Sequence, residues 1–370
     1  MASQLPDQRV LIFIVAYNAA NHIVSVFDRL PKTVFNNLGY HILLIDDCSK
    51  DSTAETASKH VWNRKYSNVT VMRNPMNQGY GGNQKLGYRY AVQNGFGLVI
   101  LLHGDGQYAP ELVLDFVSLW KEKAAEVVLG SRMLQKQNAR AGGMPLYKWI
   151  GNQVLTGFQN LVLSSGLSEF HTGYRAYATS FLKRIPFELN TNEFHFDTEI
   201  LLQAFAADAK TVEFSIPTFY GDEVCHVNGM RYAWDVVKAS LKYRFQVVGF
   251  FSSMQYRGLL KTRPDQVGTT HFHVFEWLQK PGRILNLGST SSFLEDGLKK
   301  RGAFVDSTDS NLEMSVLGKD ISNYDTVLVL DKIETLSDAE AFLSNCRYSM
   351  GDQKRPRFIF STSNVAFIAL

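Results

Sequence analysis

Five consecutive residues, His103-Gly104-Asp105-Gly106-Gln107, have the types and spacing of a cation site. They follow an apolar run, Leu98 to Leu102, that predicts a buried strand of a parallel sheet. Ligands of open α/β sheets bind beyond the carboxyl ends of the strands, so Asp105 is predicted to face a ligand. Asp105 and the carbonyl of Gln107 can supply the oxygen ligands that a hard divalent cation needs while it holds a diphosphate.

The same stretch has a second interpretation, in which Asp105 is only a helix N-cap and the glycines serve only the turn. Pro110 fits this interpretation too, because proline is favoured at the first position of a helix. The stretch alone does not separate the two interpretations, so the elements around it matter.

Two other predicted strands also end in polar residues. Val10 to Ala16 ends at Tyr17-Asn18, and His41 to Ile45 ends at Asp46-Asp47. The helices predicted after these strands cover residues 20–30 and 53–60, and Ser49 or Asp51 is the expected cap of the second. A short strand at 69–72 and a helix at 82–94 precede the Leu98 strand. This alternation predicts a mostly parallel sheet with helices on both faces, so the three polar ends meet at one edge, as in a nucleotide site.

The stretch between Glu126 and Glu169 contains no acidic residue. Its basic residues are Arg132, Lys136, Arg140 and Lys148. With Gly142-Gly143 as hinges, an unscreened basic loop after the strand 127–130 suits a mobile lid over phosphates. The alternative is a solvated surface loop. Further on, an amphipathic helix is predicted at 147–163, a helix at 198–207 and a strand at 212–216. Asp197 and Glu199 could be functional or could merely favour a helix N-terminus.

A periodic apolar stripe characterises residues 231–251. It consists of Trp234, Val237, Leu241, Phe245 and Val248, at the spacing of one helix face. Between Val236 and Pro264 there is no acid. The basic residues of that interval are Lys238, Lys242, Arg244, Arg257, Lys261 and Arg263. A basic helix with such a stripe can lie on an anionic membrane, but it can equally pack the stripe onto the rest of the protein.

Composition excludes several classes of protein. A length of 370 residues favours two domains, and a net charge of +3 is too small to indicate nucleic-acid binding. Three widely spaced cysteines suit a reducing compartment. Residues 1–9 lack the pattern of a signal peptide, and no apolar run approaches the roughly 20 residues of a membrane span. We therefore expect a cytoplasmic protein, with peripheral contact to the cytoplasmic face of the membrane.

The first 250 residues resemble family 2 glycosyltransferases of GT-A fold, in the subgroup of dolichol-phosphate mannose synthase and bacterial polyprenyl-phosphate sugar transferases. Six ordered motifs carry the resemblance. They are Val15-Ala16-Tyr17-Asn18, Asp46 to Thr53 (the family's Asp-Asp-x-Ser-x-Asp-x-Thr), Asn77 to Gly87, His103 to Gln107 (the family's Asp-x-Asp-x-Gln), Gly130-Ser131-Arg132 and Thr172-Gly173-Tyr174-Arg175. Any one of them is a weak signal, but six in order are a strong one.

The resemblance implies a metal-dependent, inverting transfer of a sugar from a nucleotide-diphosphate donor to a polyprenyl phosphate or related lipid, in cell-envelope glycan biosynthesis. It implies that Tyr17 and Asp47 hold the base and the ribose. The nucleotide-sugar site as a whole would comprise Ala16, Tyr17, Asn18, Asp46, Asp47, Gly79, Gly104 and Asp105. Mg²⁺ or Mn²⁺ would be bound by Asp105 and Gln107, with His103 as a further ligand. The catalytic residues would be Asp105, Arg132 and Arg140, and the acceptor and lid residues Arg132, Arg140, Lys148, Tyr174 and Arg175.

Three departures from the family pattern stand out. Ala19 and Ala20 follow Tyr17-Asn18 where the family has a Glu. His103 replaces the first Asp of the metal motif, and because imidazole suits Mn²⁺ better than Mg²⁺, either the preferred metal changes or Asp105 and Gln107 act alone. The loop 220–231 contains two acids where the family has basic residues.

Residues 281–370 resemble the first half of a class I S-adenosylmethionine-dependent methyltransferase. Ile284 to Gly288 parallels the family's first strand, Asp309 its second-strand acid and 361–366 a later strand. Asn286 replaces the usual acid and Ser289 to Ser292 replace glycines, so we expect a truncated or degenerate Rossmann-like domain that does not bind S-adenosylmethionine. The predicted organisation is a GT-A domain at 1–250, a linker at 251–280 and this segment at 281–370.

Two alternative functions remain open at this point. One is a glycosyltransferase that acts on a soluble saccharide or a protein. The other is a nucleotide-binding scaffold whose catalysis has lapsed with the loss of the first metal Asp.

Overall fold

The computed structural model of the chain describes residues 8–135, 139–140, 142–218, 228–247, 253–256, 258–260, 270–279, 282–287, 292–308, 321–330, 338–348, 356–361 and 367–369. The chain forms two units, Met1–Tyr243 and Arg244–Leu370.

The first unit is built on one sheet, which has seven strands in the described residues, in the order β3-β2-β1-β4-β6-β5-β7. Its strands are β1 (Val10–Ala16), β2 (Tyr40–Asp46), β3 (Val69–Arg73), β4 (Leu98–His103), β5 (Val127–Ser131), β6 (Arg175–Ala178) and β7 (Thr211–Ser215). All neighbours pair in parallel except β6, which is antiparallel to both β4 and β5. The predicted α/β class with a mostly parallel sheet is confirmed.

The described helices of seven or more residues in this part of the chain include those that cover the two faces of the sheet. They are α1 (Ile23–Arg29), α2 (Thr53–Arg64), α3 (Tyr80–Gln93), α4 (Val113–Lys123), α5 (Leu146–Leu163), α6 (Phe196–Ala206) and α7 (Gly229–Val247). On one face Ile12 and Ile14 of β1 join a core with Phe27 of α1 and Phe116 of α4. On the other face Phe13 packs against α3, and a Cβ at Gly87 would lie 2.1 Å from its ring. Glycine within α3 thus allows the helix to approach the sheet closely.

Two predicted caps are wrong. The chain after β4 forms a 3₁₀ turn, Pro110–Leu112, before α4 begins at Val113, so Asp105 is not the N-cap of that helix. At α2 the N-cap is Ser52 rather than Ser49 or Asp51. Ser49 donates its hydroxyl proton to Asp46, and Oδ1 of Asp51, one position before the cap, accepts the N–H of Thr53 at 3.0 Å.

Helix α7 packs with the face opposite to its aromatic stripe. Its buried residues are Val236, Ala239, Ser240 and Tyr243, whereas Trp234, Leu241 and Phe245 are exposed. The alternative that the stripe packs onto the protein is therefore wrong for these three residues, and Val248 lies outside the described residues. No helix in the described part of the chain is long and apolar enough to cross a membrane.

The second unit contains a sheet of five described strands in the order β12-β11-β10-β8-β9. They are β8 (Arg283–Leu287), β9 (Phe304–Thr308), β10 (Thr326–Val329), β11 (Arg357–Ser361) and β12 (Phe367–Ala369), of which β12 alone is antiparallel to its neighbour. The helices are α8 (Thr270–Trp277), α9 (Ser292–Lys300) and α10 (Ala339–Tyr348). Asn286 is buried and donates to Glu295 at 3.1 Å. Gly288 to Ser291, Asp309 and 362–366 lie outside the described residues, so the methyltransferase resemblance stays a prediction.

Candidate active site

The polar ends of β1, β2 and β4 meet at one edge of the sheet, as the sequence predicts. In the sheet register Ala16 is paired with Asp46, and Val15 with His103. A cavity of about 1430 Å³ opens there. The predicted site residues that line it are Ala16, Tyr17, Asp47, Gly79, His103, Gly104, Asp105, Gln107, Arg132 and Lys148.

The loop after β4 is shaped by its glycines. The amide of Gly104 donates to the carbonyl of Val15 at 2.8 Å, and a Cβ at position 104 would lie 3.0 Å from that of Ala16. Gly106 has φ +75°, a conformation that disfavours other residues. Oδ1 of Asp105 accepts the amide proton of Gln107 at 3.0 Å, which fixes the carboxylate at the cavity wall.

Asp47 is held by the segment that precedes α3. Its Oδ1 accepts from the side chain of Asn74 and from the amide of Gln78, both at 2.8 Å. Gly79 follows with φ +79°, and a Cβ there would lie 2.7 Å from the carbonyl oxygen of Asn192. These contacts set the wall of the cavity beside the β2 end.

Asn18 and Asp46 do not line the cavity; they hold the loops that do. Oδ1 of Asn18 accepts the amide of Lys50 at 2.9 Å, which ties the β1 end to the β2 end. Asp46 is fully buried and binds Ser49, with Nε of Arg73 at 3.4 Å. Burial raises the pKa of Asp46, although Ser49 and Arg73 oppose the shift. The expectation that these two side chains contact the nucleotide is thus corrected to a supporting role.

His103 is held between two tyrosines. Its Nε2 lies 3.1 Å from the hydroxyl of Tyr80, and its ring packs edge-on against Tyr108 with centroids 4.9 Å apart. Gly173 closes a third side, since a Cβ there would lie 2.6 Å from both Cε1 and Nε2 of the imidazole. Burial lowers the pKa of His103, although Asp105 and Asp197 oppose the shift.

The Tyr80 hydroxyl connects His103 to the carboxylate of Asp197. It donates to Oδ2 of Asp197 at 2.9 Å, while Oδ1 of Asp197 accepts from Gln84 at 3.1 Å. Beside them lies the fully buried Arg175, which donates to the Asp197 carbonyl at 2.5 Å. Burial alone would lower the pKa of Arg175, but the negative charge of Asp197 raises it above its ordinary value.

Arg132 forms a buried ion pair with Glu169. Nε of Arg132 donates to Oε1 at 3.0 Å, its amide donates to Oε2 at 2.8 Å, and Asn152 also donates to Oε1 at 2.8 Å. Burial would raise the pKa of Glu169, but Arg132 and these hydrogen bonds hold it below its ordinary value. The prediction that the basic stretch is unscreened is therefore wrong at Arg132.

The remaining predicted lid and acceptor residues separate into two groups. Lys148 lines the cavity, whereas Arg140 is exposed, does not line it and donates to the carbonyl of Met144 at 3.3 Å. Tyr174 and Arg175 are fully buried, with the Tyr174 hydroxyl on the carbonyl of Ala109 at 2.9 Å. The expectation that these two contact an acceptor is corrected, because neither reaches the cavity. Lys136 and most of the loop 220–231 lie outside the described residues.

Sequence reasoning missed several lining residues because their partners are distant in the chain. Tyr80, Tyr108, His171 and Tyr232 all line the cavity, as does Asp197, whose role the sequence left open. His171 is partly exposed, yet its Nε2 is buried without a hydrogen-bond partner, and its Nδ1 lies 3.0 Å from the Tyr232 hydroxyl. Burial lowers the pKa of His171 to about 4. The signal in the sequence was the cluster of aromatic and polar residues at 169–177 and 194–199.

The donor set fits a cation that is shared with a substrate. Asp105, Gln107 and His103 all border the cavity, but no group of three or more His, Cys, Asp or Glu side chains suitable for a metal occurs among the described residues. Mg²⁺ and similar ions are commonly bound through one or two carboxylates, with substrate phosphates and water completing the shell. The residues present fit that arrangement.

Comparison with known proteins finds similarities that fall on the first unit. Residues 11–185 match the family model described as Glycosyl transferase family 2. The chain is similar to UDP-N-acetylglucosamine–dolichyl-phosphate N-acetylglucosaminyltransferase of Methanococcus voltae, with 27% identity over 226 residues, 58% of this chain and 88% of the relative. It is also similar to polyprenol monophosphomannose synthase of Mycolicibacterium smegmatis, with 26% identity over 187 residues, 50% of this chain and 67% of the relative.

Among solved structures, the chain is similar to glucosyl-3-phosphoglycerate synthase of Mycobacterium tuberculosis in complex with Mn²⁺, uridine diphosphate and phosphoglyceric acid. The identity is 13%, the match covers 64% of this chain and 78% of that one, and the TM-score is 0.48. The family match and the mostly parallel sheet agree with the resemblance found in the sequence. Residues 11–185 of the chain are thus similar to glycosyltransferase family 2.

Proposed function

We propose that the protein transfers a sugar from a nucleoside-diphosphate donor to a polyprenyl phosphate, with inversion at the sugar carbon and with a divalent cation at Asp105. The observation that carries the lipid part is that the cavity containing Asp105 continues onto exposed apolar surface of α5 and α7. The relatives from Methanococcus voltae and Mycolicibacterium smegmatis, whose names specify lipid-phosphate acceptors, support the same assignment.

Helices α5 and α7 both expose apolar side chains at helical spacing. We call this set the apolar face: Leu146, Ile150, Val154 and Leu161 of α5, and Met230, Trp234, Leu241 and Phe245 of α7. The two helices are neighbours, since Gln159 of α5 lies 3.5 Å from the Ser240 hydroxyl of α7. Exposed apolar patches of this kind mark interaction surfaces in soluble proteins.

The cavity and the apolar face share residues. Val154 and Met230 belong to both, being 65% and 85% exposed while also lining the cavity. Asp105 and Asp47 line the same cavity, so it combines carboxylates at the sheet edge with the apolar side chains of Val154 and Met230. A ligand with a phosphate at one end and a hydrocarbon chain at the other matches this polarity.

The charge of α7 suits an anionic surface. The helix carries Arg231, Lys238, Lys242 and Arg244 against one acid, Asp235. Basic residues beside an anionic leaflet contribute about 1 kcal/mol each to binding. The apolar face and these residues together support peripheral contact with a membrane.

The reaction needs little covalent chemistry from the protein. An oxygen of the acceptor phosphate attacks the anomeric carbon, and the bond from that carbon to the donor diphosphate breaks. A phosphate monoester is already ionised near neutral pH, so alignment opposite the leaving group suffices and no strong general base is required. A divalent cation would neutralise the charge that develops on the leaving diphosphate. Asp105 would hold that cation, while Lys148 adds positive charge to the cavity wall.

The test is a transfer assay with radiolabelled UDP-, GDP- and dTDP-sugars, Mn²⁺ or Mg²⁺, and polyprenyl phosphate in vesicles or soluble saccharides as acceptors. We expect label in the lipid fraction with at least one donor, and no transfer by Asp105→Asn. The donor's nucleotide should also raise the unfolding free energy of the wild type by about 2.7 kcal/mol at 100 times its Kd. Asp105→Asn should lose the metal-dependent part of this gain.

Two results would reject parts of the proposal. Label transferred only to soluble saccharides would reject the lipid acceptor. Nucleotide binding without transfer or donor hydrolysis at any Mn²⁺ concentration would reject enzymatic function in favour of a scaffold.

A further inference from the structure

His103 occupies the position at which the family has a metal-binding Asp, and its hydrogen bonds determine which ring nitrogen carries the proton. Asp197 accepts from the Gln84 amide and from the Tyr80 hydroxyl, and its charge stabilises the buried Arg175. A carboxylate can only accept hydrogen bonds, so the single proton of the Tyr80 hydroxyl is committed to Asp197. The Tyr80 oxygen must then accept from its other neighbour.

That neighbour is Nε2 of His103, 3.1 Å away. To donate to Tyr80, Nε2 must bear the proton, and in a neutral imidazole the lone pair is then on Nδ1. Tyr108 and Gly173 pack against the same ring and oppose its reorientation. A histidine that ligates a metal through one nitrogen commonly donates its other N–H to a fixed acceptor, and Tyr80 has that role here.

We propose that Asp197 and Tyr80 are positioning residues that fix His103 as the Nε2–H tautomer, so that Nδ1 joins Asp105 as a ligand and the site selects Mn²⁺ over Mg²⁺. This inference rests on the proposed function for the identity of the cation site. A nitrogen donor favours the transition metal because Mg²⁺ strongly prefers oxygen ligands. Two carboxylates in the same position would not discriminate in this way.

The first test is the tautomer itself, which requires neither metal nor substrate. In ¹⁵N-histidine-labelled protein, long-range ¹H–¹⁵N NMR distinguishes protonated from unprotonated ring nitrogens, and the His103 signals are those lost in His103→Asn. We expect a protonated Nε2 and an unprotonated Nδ1. A His103 ring protonated at Nδ1 would overturn the proposal.

The second test measures Mn²⁺ binding by electron paramagnetic resonance, with inorganic pyrophosphate standing for the donor's two phosphates. Tyr80→Phe should weaken Mn²⁺ binding by about tenfold, since loss of an outer partner of a metal ligand typically costs 10–100-fold in affinity. Tyr324→Phe is the matched control, because its hydroxyl also donates to a carboxylate, that of Asp306 at 2.8 Å, and Tyr324 belongs to the second unit. His103→Asp should raise the affinity for Mg²⁺ relative to Mn²⁺, measured by competition.

The outcomes separate this inference from the proposed function. Mn²⁺ binding that is equal in wild type, Tyr80→Phe and His103→Asn would overturn the inference, even if sugar transfer is intact. Loss of Mn²⁺ binding in Tyr80→Phe together with the expected tautomer would support it, even if no polyprenyl acceptor is used.

Discussion

Replacing two residues of the apolar face should release the protein from vesicles. We choose Leu161→Ser with Trp234→Ser, because these side chains are 81% and 63% exposed and contact solvent rather than the core. Full burial of a leucine contributes about 1.5–3 kcal/mol, so burying half of the exposed part of Leu161 contributes about 1 kcal/mol. A tryptophan buries up to about 250 Å², so half of the exposed part of Trp234 is about 80 Å², or about 2 kcal/mol. The sum of about 3 kcal/mol corresponds to a loss of about 100-fold in partitioning.

The assay is sedimentation with vesicles that contain anionic lipid, at several lipid concentrations. Leu38→Ser with Trp62→Ser is the matched control, because these residues are 83% and 82% exposed and belong to neither α5 nor α7. Surface substitutions usually change the free energy of unfolding by less than about 0.5 kcal/mol, so both double variants should remain folded. Equal partitioning of the two double variants would refute the membrane role of the apolar face.

Two further predictions concern stability. Glu169→Gln should lower the free energy of unfolding at pH 7 by about 3 kcal/mol in urea denaturation, because it leaves the buried Arg132 without its anion. The control is Glu111→Gln, which breaks the exposed ion pair with Arg29 at 2.8 Å and should lower the free energy of unfolding by less than about 1 kcal/mol. Because the pKa of Glu169 is lowered in the folded protein, the stabilisation by its carboxylate is fully present above about pH 4.3, the pKa of Glu in the unfolded chain. This stabilisation is lost as the pH falls through the pKa of Glu169 in the folded protein. His171 has a pKa of about 4 in the folded protein and about 6.5 in the unfolded chain, so between these pH values only the unfolded chain binds the proton. The free energy of unfolding should therefore fall by at most about 3 kcal/mol as the pH is lowered from about 6.5 to about 4. His171→Gln should lack this part of the pH dependence in unfolding curves measured from pH 7 to 4, and an unchanged profile in that variant would contradict the assignment.

The central strands could be predicted because a strand buried on both faces has to be apolar along its length. β1 and β4 are examples, and the polar residues at which they end mark the edge where the cavity opens. Parallel pairing of β1 with β2 and β4 then brings the three ends together, which is why the location of the site followed from local patterns.

The partners of the site residues could not be predicted, because they depend on contacts between distant parts of the chain. Tyr80 and Asp197 are 117 positions apart, and Arg132 and Glu169 are 37 apart. Periodicity carries no information about such pairs. Local signals alone therefore placed Tyr174 and Arg175 in the site, left out Tyr80 and left the role of Asp197 open.

For helix α7 the sequence left open which face packs against the protein. Its exposed face carries the large apolar residues Trp234 and Phe245, while its buried face includes Ala239 and Ser240. Small side chains permit close packing against α5, where Gln159 approaches Ser240. The hydrophobic period therefore identified the helix but not the face that packs against the protein.

The contact between Gly173 and His103 links two motifs that are 70 positions apart in the chain. With no side chain at 173, the loop before β6 leaves a slot that the imidazole fills. A methyl group at 173 would collide with the ring, while a shorter acidic residue at 103 would leave part of the slot vacant. The two positions are thus matched in volume, and a change of side-chain size at one of them alters the space available at the other.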